Sequence, residues 1–142
     1  MEIRRKVVKA KARLVARGFS QRPGVDYHET FASSPAAPCI RFTAAVACEL
    51  QLDLCHFDVQ QAFVQAELKE VVWMRMPQGR GALSGRVVRL SRILYGFKQA
   101  SRSWHSHLAV RLKSLGFEQS LPDACVLRLI EAGSVAVRVV PL

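Results

Sequence analysis

Acidic residues are scarce in this sequence and unevenly placed. Against 21 lysines and arginines stand 11 aspartates and glutamates, a formal net charge of +10. No acid occurs in residues 71–117, a stretch that carries Arg75, Arg80, Arg86, Arg89, Arg92, Lys98, Arg102, Arg111 and Lys113, and none follows Glu131. Residues 2–22 hold eight basic side chains and one acid. Two like-signed segments repel each other unless a polyanion lies beside or between them. The pattern therefore points to a phosphate backbone as partner, with a merely solvated basic surface as the alternative.

Other shortages narrow the classes further. Cys39, Cys48, Cys55 and Cys125 show no Cys-x-x-Cys spacing and no nearby histidine pair at zinc-site distances. His105 and His107 are two apart on an expected helix, hence on different faces. Buried free thiols in a reducing compartment are the expectation. The charged N-terminus has no apolar core of signal-peptide length, and no run approaches the ~20 apolar residues of a membrane span, so an intracellular, cytoplasmic or nuclear protein without membrane contact is expected. Aromatic stacking groups are few: Tyr27, Trp73, Tyr95, Trp104 and seven phenylalanines. Half of the 142 residues are hydrophobic, which argues against intrinsic disorder. A compact chain of this length is one domain that would bury roughly 68–70% of its unfolded surface.

The hydrophobic pattern predicts an α+β fold, an antiparallel sheet with two main helices. Residues 3–16 alternate apolar and basic positions, as an exposed strand or strand pair would, and Gly18 and Arg22-Pro23-Gly24 end it. After Pro35 and Pro38, the positions Ile40, Ala44, Ala47, Cys48 and Leu50 predict a helix of about three turns. Leu52, Leu54 and Phe57 read as a buried strand leading into Asp58, followed by a helical turn over 62–67. Two strands, 71–76 and 86–90, are expected next. A second helix over 99–115 would put Trp104, Leu108, Leu112 and Leu115 on one face, with Gly116 as its stop. Segments 125–130 and 135–140 flank Glu131-Ala132-Gly133-Ser134 as a hairpin.

Asp58 is the most informative residue. A carboxylate at the end of a buried strand is costly unless it is paired, hydrogen-bonded or bound to a metal. Either it ligates a hard cation such as Mg²⁺, as phosphoryl transfer would need, or it caps the helical turn that follows. Phe63, five residues on, reads by itself as an ordinary core aromatic. Lys11 and Arg13 alternate on one face of the expected N-terminal strand, where both could reach a triphosphate or a template backbone.

Three ordered motifs carry a resemblance. Lys11-Ala12-Arg13-Leu14-Val15-Ala16-Arg17-Gly18-Phe19-Ser20-Gln21, continued by Gly24-Val25-Asp26-Tyr27-His28-Glu29-Thr30-Phe31-Ala32, is the first. Asp58-Val59-Gln60-Gln61-Ala62-Phe63 is the second, and Leu94-Tyr95-Gly96-Phe97-Lys98-Gln99-Ala100 with Trp104 is the third. Together, over about residues 8–138, the chain resembles the reverse transcriptase domain of copia-type LTR retrotransposons, an RNA-directed DNA polymerase working by two-metal nucleotidyl transfer.

The resemblance implies a right-hand polymerase, with fingers over about 1–50 and 71–95 and palm elements over about 51–70 and 96–142. It makes Asp58 a catalytic carboxylate, with Asp58 and the Val59 carbonyl as Mg²⁺ ligands. Phe63 would lie under the incoming sugar and exclude a 2′-hydroxyl by sterics. Lys11, Arg13, Gly96, Lys98 and Gln99 would contact nucleotide or template. RNA template, DNA primer and deoxynucleoside triphosphate are the implied partners.

Two departures from that pattern bear on activity. Ser101 stands where the family commonly has proline, and the 142 residues contain no Tyr-x-Asp-Asp. A partial domain that does not catalyse is therefore expected, truncated before that motif, with thumb and ribonuclease H also absent from the sequence. The alternatives are a basic nucleic-acid-binding remnant without chemistry and a relic without function.

Overall fold

The structure, a computed structural model, describes residues 12–79, 81–131 and 134–139. Its elements in chain order are α1 (Ala37–Glu49), α2 (Ala62–Gln65), β1 (Trp73–Arg75), β2 (Val87–Arg89), α3 (Ala100–Ser114), β3 (Glu118–Gln119), β4 (Val126–Glu131) and β5 (Ser134–Val139), with 3₁₀ turns at Gly18–Ser20 and Gly81–Leu83. The α+β class is as expected. The strands, however, form two antiparallel sheets and not one: β1-β2, and β3-β4-β5 in that order.

Both main helices follow from local sequence. Pro38 sits in the first turn of α1, where its missing N–H costs no hydrogen bond. The helix ends where Gln51 turns to φ +50° and the Leu52 amide donates back to the Ala47 carbonyl at 2.8 Å. At the end of α3, Gly116 takes φ +90° and donates to Lys113 O, while Phe117 donates to Leu112 O. That is a Schellman motif, completed by packing of Phe117 on Leu112. Arg111 and Lys113 lie in the last turn, where cations complement the helix dipole.

One apolar cluster joins Ala16, Ala66, Val72, Ile93, Phe97 and Ala100, flanked by Phe63, Met74 and Leu90. A second packs α3 on β4 through Leu112, Leu127, Leu108 and Phe117. Fully burying a side chain such as Ile93 or Leu127 stabilises the fold by about 1.5–3 kcal/mol. Trp104 and Leu112 point inward on α3 as their spacing predicts, whereas Leu115 is exposed.

Three expectations are corrected. The segment 52–57 is neither strand nor buried: residues 51–60 are all exposed, with Leu54 72% accessible. A strand needs a neighbouring ladder, and no described strand pairs with this segment. Of the expected N-terminal strand, residues 1–11 lie outside the described residues, and 12–16 contribute only a parallel bridge from Val15 to Tyr95. All four cysteines are free, yet only Cys125 is buried; Cys48 and Cys55 are exposed. The helix bearing Cys48 buries only Ala47, so its apolar spacing does not find a core.

Candidate functional site

Two segments distant in sequence cross because two glycines let them. The Ala16 amide donates to the Tyr95 carbonyl at 2.7 Å. Gly18 and Gly96 lie at the crossing: a Cβ on Gly18 would collide with the Gly96 carbonyl oxygen, and one on Gly96 with that of Ala16. Gly96 also holds φ +91°, a conformation that other residues adopt only with strain. Its close approach is thus spent on the chain's own first motif.

This crossing presents Tyr95 between two side chains. The Arg13 guanidinium stands 4.4 Å from the centre of its ring, and the Phe63 ring is 5.0 Å away, tilted by 59°. Arg13 comes from the first motif, Phe63 from α2 and Tyr95 from the third motif. An exposed cation–π contact is worth about 0.5–1 kcal/mol, enough to bias a guanidinium's position without fixing it. Beside this group, exposed Lys98 lies over the Tyr27 ring at 5.1 Å and donates to its hydroxyl at 3.3 Å.

Gln99 has a different place. It is 1% exposed, accepts from Gln21 Nε2 at 3.0 Å and donates through Nε2 to the Asp26 carbonyl at 3.0 Å. Gln21 Oε1 in turn accepts the Lys98 amide at 2.8 Å. The two amides lock the turn at Asp26 to the loop bearing Lys98. Arg102 pairs with Glu29 and donates to the Phe31 carbonyl, tying the same segment to α3.

Asp58 and Val59 lie in the exposed segment before α2. Asp58 is not the cap of α2, since Gln61 holds that position, at φ +52°, without a side-chain cap bond. Val59 borders an open cleft of about 590 Å³ between α2 and α3, lined also by Arg92, Trp104, His107 and Arg111. Among the described residues, no group of three or more His, Cys, Asp or Glu side chains could hold a metal ion. Asp58 supplies one hard oxygen donor set, which does not complete a Mg²⁺ site. Lys11 lies outside the described residues.

A second polar centre tethers α1. Asp123 Oδ2 accepts the Ala36 amide at 2.9 Å, at the open N-terminus of the helix, and Oδ1 accepts the Cys125 amide at 2.8 Å. These two N–H groups hold the Asp123 carboxyl below its ordinary value. The same carboxylate pushes the Cys39 thiol up through a hydrogen bond, and burial, with Asp123 second, raises Cys125. Both shifts disfavour the thiolate form.

Sequence reasoning missed Tyr95, Tyr27 and Gln21 as organisers. Tyr95 was within reach, as the aromatic beside the glycine of the third motif. Gln21 carries no local signal, because its partners lie 77 and 78 residues away.

Comparison with known proteins gives the family. The family described as Reverse transcriptase (RNA-dependent DNA polymerase) matches residues 2–133. The Retrovirus-related Pol polyprotein from transposon RE2 of Arabidopsis thaliana is 38% identical over 127 residues, 88% of this chain and 9% of that protein. That from transposon TNT 1-94 of Nicotiana tabacum is 35% identical over 123 residues, 85% of this chain and 9% of the relative. A truncated transposon Ty1-A Gag-Pol polyprotein of Saccharomyces cerevisiae is 29% identical over 123 residues, 83% of this chain and 10% of its own length. No solved structure matches. The chain thus spans about a tenth of the relatives it matches. Among the described residues, no helix is long and apolar enough to cross a membrane. With three motifs meeting at one ring and a family match over nearly its whole length, the chain belongs to the reverse transcriptases, as part of a copia-type retrotransposon Pol polyprotein.

Proposed function

We propose that these residues are the template- and nucleotide-handling part of an RNA-directed DNA polymerase, with fingers over about 1–50 and 71–95 and palm elements over about 51–70 and 96–142. The observation that carries the reading is the cluster of Arg13, Tyr95 and Phe63, which puts a cation and two aromatic rings from three motifs in one place. A nucleoside triphosphate has the complementary chemistry, anionic at one end and apolar at its sugar and base. In this reading Lys11 and Arg13 attract the phosphates, Phe63 lies under the sugar and Lys98 lies along the template, while Gly96 lets the first and third motifs cross. Gln99 acts from beneath, holding the loop that carries Lys98.

Asp58, with the Val59 carbonyl, would be one ligand of a divalent cation in the parent family's two-metal transfer. The 142 residues contain no Tyr-x-Asp-Asp to provide the remaining carboxylates. In this reading these 142 residues by themselves bind nucleic acid without extending it, because Asp58 alone does not complete a two-metal site. Primer extension on an RNA template is the test: the chain should show none above background, while retaining salt-sensitive binding to the same template. Template-dependent extension that disappears in Asp58→Asn would overturn the inactive reading.

The second reading, a basic nucleic-acid-binding remnant, has the exposure of Asp58 in its favour, since a working metal ligand is usually held by neighbours. Under it, Arg13→Ala would weaken RNA and deoxynucleotide binding no more than Arg17→Ala does. Under the polymerase reading, Arg13→Ala is the more damaging for the nucleotide.

A further inference from the structure

The outer face of the β1-β2 hairpin is used by neither cluster described above. Strands β1 and β2 pair as Trp73↔Arg89, Met74↔Val88 and Arg75↔Val87. Both strands alternate exposed, half-buried, exposed. Met74 faces the core cluster, so Trp73, Arg75, Val87 and Arg89 share the opposite face. Trp73 is 61% exposed and stands directly across from Arg89.

A large exposed indole is an unusual surface group, because Trp carries the largest apolar area of any side chain and is seldom left in water. Its neighbours are cationic. Arg75 is braced by a 3.1 Å hydrogen bond to the Gly85 carbonyl, and neither Arg75 nor Arg89 forms an ion pair among the described residues. Glu67 lines a cleft with Arg89 without pairing to it, and residues 71–117 contain no acid. A flat π surface with two guanidiniums outside any ion pair among the described residues fits a partner that is planar and polyanionic.

We propose that this face is a stacking platform for single-stranded nucleic acid, with one base on Trp73 and the flanking phosphates on Arg75 and Arg89. The inference rests on the nucleic-acid-handling reading above, and it adds a contact outside the Arg13-Tyr95-Phe63 cluster. A single strand suits the site because an unpaired base can leave its neighbours and lie on the indole, whereas a base in a duplex cannot. Stacking of this kind tolerates any base, so the contact contributes affinity and register along the strand without selecting sequence.

Fluorescence anisotropy with labelled 20-nucleotide oligo(U) and a blunt 20-base-pair RNA duplex tests the proposal. Trp73→Ala should weaken oligo(U) binding by roughly 5- to 150-fold and leave the duplex within about twofold, since stacking on a single aromatic has that range. Trp73→Phe should recover most of the loss, which separates stacking from damage to the hairpin. Arg75→Ala and Arg89→Ala should each lower the salt slope of oligo(U) binding by about 0.7 to 1. If the unaltered chain binds oligo(U) and both Trp73 variants bind it equally well, the platform is wrong and the broader reading stands. If the unaltered chain binds neither RNA, the broader reading fails with it. If Trp73→Ala changes only the oligomeric state in sedimentation, the face is a protein interface and the proposal is overturned.

Discussion

At position 96 the backbone leaves no choice of residue. Gly96 combines φ +91° with a Cβ direction aimed at the Ala16 carbonyl, whereas Gly24, at φ +76°, has nothing within 4 Å of that direction. Gly96→Ala should therefore destabilise the fold by clearly more than about 1 kcal/mol, and Gly24→Ala by about that amount, as urea denaturation of the two variants would read. Equal losses would show that the crossing of segments 15–18 and 95–97 is not under contact. Gln99 supplies a second case. Replacing it with leucine leaves Gln21 Nε2 and the Asp26 carbonyl without a partner inside the protein, at a cost of about 1–3 kcal/mol, although the volumes are similar. Had Gln99 been a solvated template contact, the same change would leave stability almost untouched.

Among the elements, α1 depends most on a single remote group. It buries only Ala47 and has no side-chain cap of its own, so Asp123 is its main polar anchor. The Asp123 carboxyl is held below its unfolded value by the Ala36 and Cys125 amides. A depressed folded value means that the unfolded state takes up the proton first as pH falls. The anchor's contribution is then full above the ordinary aspartate range and lost as pH drops through the folded value. Circular dichroism during acid titration should show helix loss in that acid limb. Asp123→Asn should flatten the limb, because asparagine keeps an oxygen acceptor without the titrating charge. The element scale also shows what the sequence could and could not reveal. The spacing of Trp104, Leu108 and Leu112 and the stop at Gly116 located α3 because these are signals within one helix. The hairpins β1-β2 and β4-β5 were legible for the same reason, each pairing strands that are neighbours in sequence. The segment 52–57 has the composition of a strand, but its conformation depends on a neighbour, and composition does not report whether one is present. The site was partly legible: Arg13 and Phe63 were found through the motifs, while the ring that brings them together was read only as part of a pattern. Hydrogen exchange checks the corrected segment. Amides of residues 53–56 should exchange among the fastest in the chain, and those in the middle of α3 among the slowest.

At the scale of the whole molecule, the described residues give their charge little internal compensation. Three ion pairs occur among the described residues, Arg22–Asp26, Glu29–Arg102 and Glu118–Arg128, and each is at least partly exposed, where such pairs add little stability. A net charge of +10 favours a polyanionic partner. A single strand lying along this surface would release condensed counterions in proportion to the phosphates it neutralises, with a log–log slope of about −0.7 for each. Contact with four to six phosphates gives a slope of roughly −3 to −4. Raising salt from 50 to 200 mM should then weaken binding by on the order of 100-fold, a change that anisotropy measures directly. Asp58→Asn separates charge from chemistry within this experiment. It removes one exposed carboxylate from a basic molecule, so RNA binding at low salt should hold or tighten slightly. A marked loss of binding in that variant would mean that Asp58 organises the nucleic-acid surface itself, and the division between a binding scaffold and a catalytic carboxylate would have to be abandoned.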